Sequence, residues 1–125
     1  MKRRYAVILA LCITPSLVFA GTAFGRASST PKFKGVVGPG FTISLKKSGK
    51  KVTKLKAGKY TFVISDKSSF HDFTLEQEKG GKFEKHLTKV PSTGPVTKTI
   101  TLKKGKWKYY CSAHEDEMHG FFKVT

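Results

Sequence analysis

Tyr109-Tyr110-Cys111-Ser112-Ala113-His114-Glu115-Asp116-Glu117-Met118-His119-Gly120 decides how the rest of the chain is read. It sets a thiol, an imidazole and a thioether within eight residues, Cys111 to Met118. On one side Trp107 to Cys111 has strand character, and on the other Phe121-Phe122-Lys123-Val124 closes the chain as a strand. A loop of that length between two strands can wrap its donors round one ion. One more donor, His71, lies forty residues before Cys111.

Working outward, the pattern is strand, turn, strand. Phe41-Thr42-Ile43-Ser44-Leu45 alternates apolar and polar residues, and residues 46–51 turn at Gly49. Residues 52–55 form a short strand, and Ala57-Gly58 turns the chain into Tyr60-Thr61-Phe62-Val63-Ile64. A strand over residues 70–75 is expected to carry His71 at its start. Residues 96–102 alternate Val96, Ile100 and Leu102 against Thr and Lys, and Lys103-Lys104-Gly105-Lys106 turns that run into Trp107. No segment has a helical period, and β-branched and aromatic residues dominate the runs. The expectation is an all-β, Greek-key β-sandwich of about seven to eight strands. Trp107, Tyr60, Phe62, Ile64 and Leu75 are its expected core. Residues 76–94, with Gly80-Gly81, Pro91 and Pro95 near by, read as one long connection with room for a helical turn.

The 125-residue chain has room for one domain after an export segment. Lys2, Arg3 and Arg4 precede an apolar run to Phe19, and Val18-Phe19-Ala20 offers small residues for cleavage. Residues 1–20 therefore read as a cleaved general secretory signal, too short in its apolar part to span a bilayer comfortably. Residues 21–35, rich in Gly, Ser, Thr and Ala, read as a flexible leader, and residues 36–125 as the domain. The destination is outside the cytoplasm: periplasm, cell envelope or extracellular space. Cys12 leaves with the signal, so Cys111 becomes the only cysteine of the mature chain. A single thiol in an oxidising compartment has no internal disulfide partner and is a liability unless buried, paired between chains or bound to metal.

The formal charge of +16 falls to +13 when residues 1–20 are removed, because they carry three basic residues and no acid. Such a surface favours acidic protein partners and anionic envelope polymers. It is not by itself a nucleic-acid signature, and the chain reads as a monomer with no integral membrane segment after cleavage.

Thiolate, thioether and two imidazoles form a donor set suited to copper in either oxidation state. A trigonal His-Cys-His plane with a long axial Met compromises between the preferences of Cu(I) and Cu(II), so little moves when one electron comes or goes. At these residues the chain resembles a cupredoxin of the plastocyanin/azurin type. Residues 109–114 resemble the plastocyanin segment Tyr-Tyr-Cys-Ser-Pro-His, with Ala113 where proline is usual, and His114-x-x-x-Met118-x-Gly120 is spaced like the azurin loop. The resemblance implies a cupredoxin-like sandwich holding one Cu(I)/Cu(II) ion on His71, Cys111, His114 and Met118, the imidazoles binding through Nδ1. It also implies a link between the residue after the first His and the residue after the Cys. Asp72 stands where Asn is common and has two readings: a simple turn aspartate, or an acceptor for a hydrogen bond from Ser112 whose charge, if ionised, favours Cu(II). Glu115-Asp116-Glu117, beside the usual electron exit at His114, is either a solvated tip or an acidic spot that orients a partner. His119 is expected to point outward, and His86 to be a surface residue.

The functional expectation is an exported one-electron carrier between redox partners, and not an enzyme. The alternative is an envelope copper-handling protein that binds and delivers the metal without shuttling electrons. A cysteine hydrolase built on Cys111 and His114 lacks a third orienting group. A further rival is a metal-free β-sandwich adhesion module that uses its lysines on envelope polymers, which copper titration would distinguish. A dinuclear copper centre needs a second Cys, and a multicopper oxidase needs further His clusters.

Overall fold

The computed structural model of the chain describes residues 21, 25 and 28–125. The expected signal segment, residues 1–20, lies outside the described residues. Ten strands follow in order: β1 (Lys32–Val37), β2 (Ile43–Lys47), β3 (Lys50–Lys51), β4 (Lys54–Leu55), β5 (Gly58–Asp66), β6 (Thr74–Lys79), β7 (Glu84–His86), β8 (Gly94–Leu102), β9 (Gly105–Tyr110) and β10 (His119–Val124). They form two five-stranded sheets, ordered β3-β2-β1-β5-β8 and β4-β10-β9-β6-β7. Most pairs are antiparallel; β1 with β5 and β4 with β10 are parallel. The all-β sandwich is as expected, with extra strands of two or three residues at the sheet edges.

Period-two alternation builds the core. On β5, Tyr60, Phe62 and Ile64 face inward, and on β9 Trp107 and Tyr109 do the same from the opposite sheet. All five residues expected at the heart of the core are buried there, Leu75 included. Trp107 stacks on Phe122 with ring centroids 6.2 Å apart and donates its indole N–H to the Lys103 carbonyl at 2.9 Å. That bond satisfies the one polar atom of the largest buried side chain.

Three boundaries differ from the sequence reading. Strand β1 begins at Lys32, inside the stretch read as a leader, and pairs with both β2 and β5. A parallel partner leaves no local turn signal, and Gly35 looked like leader composition. Gly35 is in fact a packing glycine, where a Cβ would overlap Ile64 Cδ1. The supposed long connection contains the end of β6 and all of β7, joined by a hairpin at Gly80-Gly81, and no helix. His71 is not on a strand. Residues 67–73 cross between the sheets, and Phe73 is held by Thr88 Oγ1 at 2.9 Å and by Leu87 N–H at 2.7 Å, not by a ladder.

The register places the functional loops together. Val37 is level with Asp66, and Asp66 with Gly94, while Thr74 is level with both Tyr110 and His86. Residues 38–42, 67–73, 87–93 and 111–118 therefore leave the two sheets at the same end. One pair before the β9–β10 loop, Gly120 lies opposite Tyr109. A Cβ at Gly120 would overlap Tyr109 Cζ and its hydroxyl oxygen, and that ring is held by stacking on Phe73 at 5.7 Å. Gly120→Ala should therefore cost about 1–3 kcal/mol by overpacking, read as a lower urea midpoint at unchanged slope; an unchanged midpoint would show that the ring can yield.

Candidate metal centre

Residues 111–118 form a tight loop that closes on itself. Cys111 N–H donates to the Met118 carbonyl at 3.0 Å, His114 N–H to the Cys111 carbonyl at 3.1 Å, and Met118 N–H to the His114 carbonyl at 2.9 Å. This backbone bonding satisfies most of the loop's buried amides and fixes where its side chains start. From the facing crossover, residues 67–73, His71 arrives beside them.

Three donor atoms converge. His71 Nδ1 and His114 Nδ1 are 3.0 Å apart, and Cys111 Sγ is 3.7 Å from each. A point equidistant from all three lies ~2 Å from each, close to the length of a first-row metal–imidazole bond. His71 and Cys111 are buried and His114 is partly exposed. Two ring nitrogens and a sulfur directed at one point are a poor hydrogen-bonding arrangement and a good coordination one. The donor chemistry fits copper. Met118, the fourth expected donor, is fully buried in the same loop. Phe41 was not singled out from the sequence. Its ring meets those of His71 and His114 edge-on, with centroids 5.4 and 4.9 Å away, while staying largely exposed itself. His119 points outward as expected and donates its Nδ1–H to the Glu115 carbonyl at 2.8 Å.

Asp72 is buried and ties the crossover to the loop. Its Oδ1 accepts Ser112 N–H at 2.6 Å, and its Oδ2 accepts the Ser112 hydroxyl at 2.9 Å and the Thr74 hydroxyl at 3.0 Å. His86 Nδ1 donates to the same Oδ2 at 2.7 Å. Burial works against the charge, but the hydrogen bonds from Ser112 N–H, His86, Ser112 Oγ and Thr74 outweigh it and hold the carboxyl below its ordinary value. Of the two readings of Asp72, the structure has the bridge to Ser112, made twice, and not a simple turn aspartate. His86, expected to be a bystander, is exposed yet bonded. Its place on β7 was hidden by the reading of residues 76–94 as a loop.

The acidic triplet divides. Glu115 turns back onto Lys108, a lysine buried on the outer face of β9 that also reaches Glu76 at 3.0 Å and Glu78 at 3.5 Å. Burial opposes its charge, but the hydrogen bonds to Glu115 and Glu76 hold the ammonium above the ordinary lysine range. Glu115 thus braces the loop against the sheet, while Asp116 and Glu117 remain exposed. Nothing local in the sequence links Lys108 to Glu115; the link exists only once the loop folds back.

No family model and no curated protein matches this chain in sequence. Among solved structures, reduced rusticyanin is similar with a TM-score of 0.55 at 18% identity, covering 80% of this chain and 82% of that one. Rusticyanin from Thiobacillus ferrooxidans gives 0.50 at 20% identity over 75% of this chain and 76% of that chain. A multi-copper oxidase from Pediococcus acidilactici gives 0.52 at 18% identity, covering 93% of this chain and 30% of the oxidase. Identities this low speak for the fold. The fold is the cupredoxin fold, and the His71–Cys111–His114 cluster built on it fits a type 1 site for one copper ion.

Proposed function

We propose that this chain is an exported one-electron carrier that holds a single copper ion on His71 Nδ1, Cys111 Sγ and His114 Nδ1, with the Met118 thioether as fourth donor. The observation that carries the reading is the convergence of three donors on one point, two of them buried, with Cys111 and His114 in the loop's backbone hydrogen bonds and His71 next to the Asp72 bridge. Copper bound there supplies a Cu(I)/Cu(II) couple. The chain's own part is to keep the donors still and the site dry. The loop's three internal hydrogen bonds and the Asp72 bridge resist movement of Cys111 against His71. Burial of Cys111, Met118 and Phe73 excludes water from one side, and the Phe41 ring shields the imidazoles on the other. His114, the partly exposed donor, offers the edge through which an electron would leave.

A braced donor set supports the carrier over the copper-handling alternative, since a delivery protein must open its ligands to release metal. Export rests on residues 1–20; among the described residues no helix is long and apolar enough to cross a membrane. The net positive charge supports partners with acidic docking surfaces. The carrier reading requires a reversible, fast one-electron couple by voltammetry on the copper-loaded protein. A sluggish couple with ready transfer of the metal to a chelator would favour handling instead.

Two substitutions extend the test. Met118→Leu should raise the potential and leave the thiolate-to-copper band in place; an unchanged potential would remove Met118 from the donor set. Asp72→Asn should raise the potential by removing a negative charge beside the site. The same substitution has an acid-stability signature in the metal-free protein. A carboxyl held below its unfolded value of about 3.9 stabilises the fold fully above that pH and loses the contribution as pH falls through the folded value. Wild type should therefore lose stability more steeply than Asp72→Asn below about pH 4, as read by urea midpoints; parallel curves would contradict the charged assignment.

A further inference from the structure

At the end of the sandwich away from the donors, the strand register sets lysine against lysine. On the outer face of the second sheet, Lys123 of β10 lies opposite Lys54 of β4 on one side and Lys106 of β9 on the other, and Lys79 of β6 lies opposite Lys106. Paired strands are ~4.8 Å apart, so the four positions form a row straight across the sheet. Like charges directly opposite one another destabilise a sheet, and this row is only partly neutralised. Lys106 pairs with Glu78 at 3.0 Å, with its ammonium also 4.2 Å from the centroid of the Phe121 ring. Among the described residues no carboxylate reaches Lys54, Lys79 or Lys123 within ion-pair distance. A groove of about 460 Å³ opens here, lined by Lys79, Lys104, Lys106, Lys123 and Phe121, and its floor between the ammonium groups is mainly apolar. Phe121 is 40% exposed.

We propose that this face binds a linear acidic polysaccharide, its anionic groups meeting Lys54, Lys79, Lys104 and Lys123 and one sugar ring packing its C–H face against the exposed part of Phe121. The row supplies regularly spaced cations, which suits a polymer of regularly spaced anions better than a compact ligand. Single-stranded nucleic acid calls for successive stacking platforms, and among the described residues Phe121 is the one exposed Phe, Tyr or Trp beside this row, with His119 meeting it edge-on. A bilayer calls for apolar side chains that insert, and among the described residues the other exposed large apolar ones, Phe41, Phe70 and Val90, lie in loops at the opposite end. A chain held this way keeps the His114 end pointing outward. The interaction uses none of the copper donors.

Binding of the full chain to polygalacturonate is the test, with a matched control on the first sheet. There Lys34, Lys46 and Lys51 also align across strands, with Lys50 at the β2–β3 turn and, among the described residues, no exposed aromatic side chain beside them. Replacing Lys54, Lys79, Lys104 and Lys123 by Gln should weaken binding about tenfold or more and flatten its salt dependence. The equal change of charge at Lys34, Lys46, Lys50 and Lys51 should weaken it less than about twofold. Phe121→Ser should weaken binding at an unchanged salt slope, and Cys111→Ser should leave it intact. Equal losses in the two lysine sets would overturn the proposal, as would single-stranded DNA or anionic-lipid vesicles binding as tightly as polygalacturonate. No effect of Phe121→Ser would leave a purely ionic contact and overturn the sugar assignment.

Discussion

The arrangement of the site depends on one buried carboxylate. His71 and Cys111 come from different connections, separated by forty residues, and sheet pairing alone brings them only to the same end of the sandwich. Asp72, next to His71, accepts both the N–H and the hydroxyl of Ser112, next to Cys111. Two bonds to one carboxylate fix both the distance and the rotation between the two segments. Charge-assisted bonds of this kind are about twice as strong as neutral ones, and they lie where burial discourages water from competing. Thr74 and His86 also bond Oδ2, so four hydrogen bonds meet on the one carboxylate.

The other supports hang from that bridge. With residues 71–73 anchored, Phe73 reaches the core and stacks on Tyr109, and the smallness of Gly120 leaves room for the Tyr109 ring. On the outer face, Lys108 pulls Glu115 and so the middle of the donor loop toward β6. The loop is thus held at its Cys111 end by Asp72, in its centre by Lys108, and at its Met118 end by its own backbone. Charge is divided along the molecule to match. Acids gather round the loop and the strands beneath it, and unpaired lysines gather at the other end, where register places them opposite one another.

Much of this was legible in the residues. Strands β5, β8, β9 and β10 announce themselves by alternation, and the Cys-x-x-His-x-x-x-Met spacing marks the donor loop without any structure. His71 could be chosen because it was a spare donor near a strand pattern, although alternation at Phe70, His71, Asp72 and Phe73 mimicked a strand that does not form. What stayed hidden depends on long-range pairing. Strand β1 was masked by a parallel partner nearly thirty residues away, and His86 and Phe41 acquire meaning only when distant loops meet. Lys108 looked like one surface lysine among many, yet it is buried by the acids that neutralise it.

The central claim is that Cys111 binds copper as a thiolate between two imidazoles. Optical and electron-spin-resonance spectra of the protein after one equivalent of Cu(II) test it most directly. An intense visible thiolate-to-copper band is predicted, with Cys111 protected from alkylation and the band lost in Cys111→Ser. Only weak copper bands, with the thiol still open to alkylation and Cys111→Ser unchanged in spectrum, would contradict the account.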